Sequence, residues 1–116
     1  MEARPRTVIN YAKLDGVEPV DVWFRNLKDL VGKKAVSVRI RRVRLGTLGH
    51  VDNIGQGVWG LKIDVGPGYR VYFGQDGPVV VILLCGGEKH GQDKDADTAR
   101  NYWADYKSRK QKEQEK

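Results

Sequence analysis

Four residues in one short stretch have the types that handle phosphate. Lys62, Arg70, Lys89 and His90 fall within residues 59–95, which read WGLKIDVGPGYRVYF, a short turn, VVVILLCGG and EKHGQDKD. A guanidinium fork matches two phosphate oxygens, and an ammonium adds a compact charge beside it. Imidazole is the side chain whose unperturbed proton affinity suits acid–base work near neutral pH, which makes His90 the conventional candidate for that role. No other chemistry is spelled out. Two His and one Cys at unrelated positions give no zinc spacing, there is no paired-carboxylate motif for magnesium, and P-loop and G-x-S-x-G patterns are missing. No cofactor or metal is expected.

The elements that must carry these residues follow from periodicity. Trp59, Leu61, Ile63 and Val65 alternate with Lys62 and Asp64, and Tyr69, Val71 and Phe73 alternate with Arg70 and Tyr72. Two strands around the Gly66-Pro67-Gly68 turn therefore put Lys62, Arg70 and Tyr72 on one sheet surface. Asp76-Gly77 makes the next turn, and Pro78 stands at a strand entry. Residues 79–84 do not alternate, as expected of a central strand covered on both faces. Lys89 and His90 follow directly, so three strands deliver cations to one edge.

Upstream, residues 6–14 read as a first strand and Asp15-Gly16 as a turn. Pro19 opens a helix carrying Val20, Trp23, Phe24, Leu27 and Leu30 at helical spacing, with Gly32 as its stop. Residues 33–45 fit two patterns: Val36, Val38 and Ile40 alternate like a strand, while Val36, Ile40 and Val43 share a helical face. Residues 46–57 read as a Gly-rich connection. Ala96, Ala99, Trp103 and Tyr106 mark a last helix, and KSRKQKEQEK lacks any apolar residue. The expectation is one domain over residues 1–110 with a disordered basic tail at 111–116.

Twenty-one Lys and Arg against fifteen Asp and Glu give a net charge of +6, which favours a polyanion or an acidic protein as partner. The longest apolar run is far too short to cross a bilayer, and no apolar leader with a basic flank is present. Cys85 ends an apolar run and reads as a small buried hydrophobe. A soluble, cytoplasmic protein without membrane contact is expected.

Two segments also carry a resemblance. LKIDVGPGYRVYF at 61–73 and LLCGGEKHGQDKD at 83–95 are similar to segments of the RelE/ParE superfamily of toxins from bacterial type II toxin–antitoxin modules, above all the addiction-module killer branch related to HigB. The likeness spans residues 4–110. It implies an α+β RelE-like fold, an antiparallel sheet with two N-terminal helices and a C-terminal helix, which assigns residues 33–45 to the second helix.

The resemblance also implies a function: a toxin that cleaves the A-site message on the ribosome without metal, by attack of a 2′-hydroxyl on the adjacent phosphate. Arg70 then matches a phosphate-binding Arg, Lys62 a basic residue on the preceding strand, and Lys89 and His90 the region after the central strand that assists proton transfer. Tyr72 is the candidate for stacking on a base. Arg39, Arg41, Arg42 and Arg44 of the second helix would dock ribosomal RNA. The implied partner is a small helix-turn-helix antitoxin, with operator DNA contacted only through it. Asp64 stands where relatives often carry a second Lys, and residues 93–99 hold no match to the family's C-terminal Tyr. Plainer roles remain for each residue: an Arg70–Asp64 ion pair, a solvated Lys62, an inert loop His90, a solvated helix surface. The alternative within the superfamily is a ParE-like inhibitor that binds DNA gyrase without cleaving anything. Outside it stands a basic RNA-binding domain with no toxicity.

Overall fold

Val81 to Cys85 are all buried, so the strand that carries them needs an apolar layer on each face. The computed structural model, which describes residues 4–115, supplies both layers. Five strands form one sheet: β1 (Thr7–Asn10), β2 (Val51–Gly55), β3 (Val58–Ile63), β4 (Tyr69–Asp76) and β5 (Val80–Glu88), in the order β1-β5-β4-β3-β2. Helices α1 (Pro19–Asn26) and α2 (Leu30–Arg44) lie on one face, and α3 (Gln92–Gln114) on the other; one turn of 3-10 helix, Lys89–Gly91, joins β5 to α3. Among the described residues no helix is long and apolar enough to cross a membrane.

Alternation along the strands separates two cores. Leu61, Ile63, Tyr69, Val71, Phe73, Val81 and Leu83 pack with Val20, Val36 and Val43 of the helical pair. Val58, Tyr72, Ile82, Leu84 and Cys85 pack with Ala96, Ala99 and Trp103 of α3. Burial pushes the Cys85 thiol up to about 12, in keeping with a structural residue.

The α+β class and the order of helices and strands are as expected, with four corrections. The sheet is mixed: β2 to β5 pair antiparallel, but β1 runs parallel to β5. No hairpin joins β1 to β5, so nothing local fixes their relative direction. The Gly-rich connection contains β2, turned back onto β3 at Gly55-Gln56-Gly57, where all three residues have positive φ. The first helix stops at Asn26, because Asp29 caps a new one by accepting from the Gly32 N–H at 3.1 Å; Leu30 and Gly32 therefore begin α2 instead of ending α1. Finally, α3 continues through the segment expected to be disordered, and Lys116 lies outside the described residues. Lys110 pairs with Asp76, and Arg109 bonds Asp105 and the Ala12 carbonyl, so this end of the helix is tied to the sheet.

The two glycines of the CGG segment explain how both layers reach β5. A Cβ at Gly86 would lie 2.3 Å from the Trp23 ring of α1, and a Cβ at Gly87 would lie 1.9 Å from Asp95 Oδ2 of α3. Each face of the strand thus accepts a side chain directly onto its backbone.

Phe73→Ala should cost about 3–5 kcal/mol by leaving a cavity in the helical-pair core. Gly86→Ala should cost about 1–3 kcal/mol through overpacking against Trp23, both read by urea denaturation. Hydrogen bonds first from Lys110 to Asp76, and first from Tyr11 to Asp105, hold these carboxyls below the usual range. Depressed folded values add stability that is complete above the unfolded value of about 3.9 and is lost as pH falls through the folded values. The denaturation midpoint should therefore drop on acidification below about pH 4, and Asp76→Asn with Asp105→Asn should flatten that drop.

Candidate phosphate-binding site

Strands β3 and β4 pair with Lys62 opposite Arg70. Their neighbours Leu61, Ile63, Tyr69 and Val71 turn into the helical-pair core, so Lys62, Arg70 and Tyr72 share the other face, as the alternation predicts. The edge strand β2 brings in Asp52, opposite Gly60. Gly60 is also the partner of Tyr72 and has no side chain to stand in the way, so Arg70 reaches Asp52 diagonally across β3. Arg70 Nη1 donates to Asp52 Oδ2 at 3.0 Å, and Lys62 Nζ lies 3.6 Å from the same oxygen. Asp64 is exposed and is not the partner. The Arg70 hydrogen bond, and then the Lys62 charge, hold the Asp52 carboxyl below its ordinary range.

Arg70 is 8% exposed. Among the described residues Asp52 is the one hydrogen-bond acceptor of its side chain, which leaves the remaining N–H groups for another oxyanion. They border a cleft of about 650 Å³ between β2 and the start of α3. Arg70 and Tyr72 form its floor, Asp52 to Ile54 one wall, and Gln92, Asp93, Asp97 and Arg100 the other. Arg100 closes the far end by donating to the Ile54 carbonyl and to Asp97, each at 2.8 Å. The cleft lining thus sets three carboxylates, Asp52, Asp93 and Asp97, against two arginines, and an entering phosphate would exchange with Asp52 to meet Arg70.

The other candidates are distributed differently. Tyr72 is fully buried beneath α3, its hydroxyl 3.4 Å from the Gln92 carbonyl and pushed up to about 12, first by burial. It has no free face for a base, which corrects the stacking role. Lys89 is exposed, and its N–H bonds the Gly68 carbonyl at 3.0 Å, which keeps it at the same end of the sheet as Lys62 and Arg70. His90 is exposed with Nε2 3.3 Å from Glu88 Oε2. Glu88 is opposite Tyr69, whose side chain lies in the helical-pair layer, so His90 leans away from the Arg70 face.

Arg39 is not a docking cation: its guanidinium donates to the Leu48 and His50 carbonyls and fixes the approach to β2. Arg41, Arg42 and Arg44 are exposed, but α2 lies across the sheet from the cleft.

Two carboxylates escaped the sequence reading. Asp52 sits in a segment read as irregular, although the G-Q-G turn between Ile54 and Val58 was a hairpin signal. Asp95 closes the segment at 83–95, and its carboxyl rests on Gly87, the strand partner of Arg70. Burial raises its proton affinity.

Asp52→Ala should lower the denaturation midpoint at neutral pH by leaving Arg70 buried without its acceptor. In the Asp52→Ala, Arg70→Met pair the loss should be smaller than the sum of the single losses; strict additivity in this cycle would show that the two groups are not coupled.

No family model matches the chain. Over 80 residues it is 44% identical to a Haemophilus influenzae protein (strain ATCC 51907 / DSM 11121 / KW20 / Rd) described only as uncharacterized, an alignment that covers 69% of this chain and 81% of that protein. The chain belongs to the same family as this H. influenzae protein.

Proposed function

We propose that the chain is a RelE/ParE-type toxin of a type II toxin–antitoxin module and acts as a ribosome-dependent mRNA endoribonuclease. The observation that carries this reading is the in-register pair of Lys62 and Arg70, with Arg70 lining an open cleft and its remaining guanidinium N–H groups unclaimed among the described residues. The arrangement of two helices before the main strands and one after them agrees with the fold that the resemblance implies.

In the proposed reaction the scissile phosphate takes the place of Asp52. Arg70 and Lys62 hold its nonbridging oxygens as the 2′-hydroxyl attacks and gives its proton to solvent water, the P–O5′ bond breaks, and a 2′,3′-cyclic phosphate forms. Lys89, held at the same end of the sheet as Lys62 and Arg70, assists proton transfer to the leaving 5′-oxygen. The partners in this reading are the ribosome with its message and a helix-turn-helix antitoxin, through which operator DNA is contacted, all in the cytoplasm.

The ParE-like reading, binding of DNA gyrase without cleavage, draws on a specific observation of its own. Asp52 neutralises Arg70, and the one aromatic on the cleft floor, Tyr72, is buried.

Purified protein added to translating ribosomes separates the two. Primer extension should show A-site cuts that Arg70→Ala reduces about a hundred- to a thousand-fold, the usual cost of removing one charge-stabilising donor. Lys89→Ala should lower the rate, whereas His90→Ala should change little. Wild-type protein that makes no cuts but blocks gyrase supercoiling would replace the nuclease with the second reading.

A further inference from the structure

Helix α2 buries Val36 and Val43 against the sheet, yet it carries a second apolar row on its opposite side. Val31, Val38 and Leu45 are 69%, 37% and 64% exposed and belong to neither core. They are spaced seven residues apart. At about 1.5 Å per residue they run some 21 Å along one line of the helix and of its capping residue. Lys34 and Arg41, also seven apart and exposed, alternate with them, and exposed Arg42 stands beside the row. A seven-residue apolar repeat on a helix surface is the seam that another helix packs against, with charges beside it choosing the partner.

We propose that the outer face of α2 docks an amphipathic, acidic helix of a partner protein, its apolar stripe on Val31, Val38 and Leu45 and its carboxylates opposite Lys34, Arg41 and Arg42. A second copy of this chain does not fit, because its own row would set Lys34 and Arg41 against like charges. A nucleic-acid backbone would use the cations but gains nothing from three exposed aliphatic side chains on the same line. The inference rests on α2 alone, across the sheet from the cleft, and survives if the nuclease reading fails.

The probe is a three-heptad peptide with Leu at one heptad position, Glu at the flanking positions and Ala elsewhere. Its binding to the full chain is measured by calorimetry at two salt concentrations, with a single-stranded RNA oligonucleotide as competitor. The peptide should bind one to one. The Val31→Ser, Val38→Ser variant should bind it at least about tenfold more weakly, since the apolar burial of two valines is lost. The Arg41→Gln, Arg42→Gln variant should lose most of the salt dependence. Circular dichroism should show both variants folded, as all four residues are exposed. No binding of the peptide, or binding that the serine variant leaves unchanged and RNA competes away, would overturn the proposal and make this face a general polyanion surface.

Discussion

The double burial of β5 is the constraint on which the other elements depend. A strand with no polar face needs an apolar layer on each side, and three α-helices among the described residues build both. Gly86 and Gly87 bring α1 and α3 down onto the strand backbone itself. With α3 seated that far over β4 and β5, Tyr72 becomes core, and the part of the sheet face left open is the strip along β3 and β2. The cleft is what remains when one helix covers a five-stranded sheet.

That placement sets the electrostatics. Arg70 is buried at the cleft floor and needs a negative partner, because an unpaired buried charge costs several kcal/mol. Asp52, carried on the edge strand, meets that need and engages Lys62 through the same oxygen. The net charge of +6 is consequently not concentrated in the cleft, where Asp52, Asp93 and Asp97 stand among the arginines. Much of it lies on the outer surface of α2, interleaved with aliphatic residues. The molecule thus separates an arginine guarded by Asp52 on one face from a basic, apolar-striped helix on the other.

The sequence made legible what depends on local periodicity. The alternation of residues 59–65 and 69–73 put Lys62, Arg70 and Tyr72 on one face, and the unbroken run at 79–84 marked a strand covered on both sides. Val38, exposed while Val36 and Ile40 turn inward, resolves as helix the segment that periodicity left open. What stayed hidden depends on tertiary contact. Asp52 is paired with Arg70 only because β2 exists, and β2 has too few apolar residues to announce itself. Tyr72 reads as an exposed aromatic until α3 lies over it. His90 and Arg39 have the right chemistry, but the Glu88 carboxylate and two backbone carbonyls hold them elsewhere. The boundary between α1 and α2 was missed because Asp29 stops one helical pattern and starts another in nearly the same phase.

The central claim is that Lys62 and Arg70 form a phosphate seat occupied at rest by Asp52. Nuclear magnetic resonance of the labelled protein, titrated with a trinucleotide whose 2′-hydroxyls are replaced by hydrogen so that it cannot be cut, tests it most directly. The account predicts that the side-chain signals of Arg70 and Lys62 shift together and saturably, while the Asp52 carboxyl carbon moves toward the position of a free carboxylate. Signals of Arg70, Lys62 and Asp52 that stay in place while those of Arg41 and Arg42 move would contradict it.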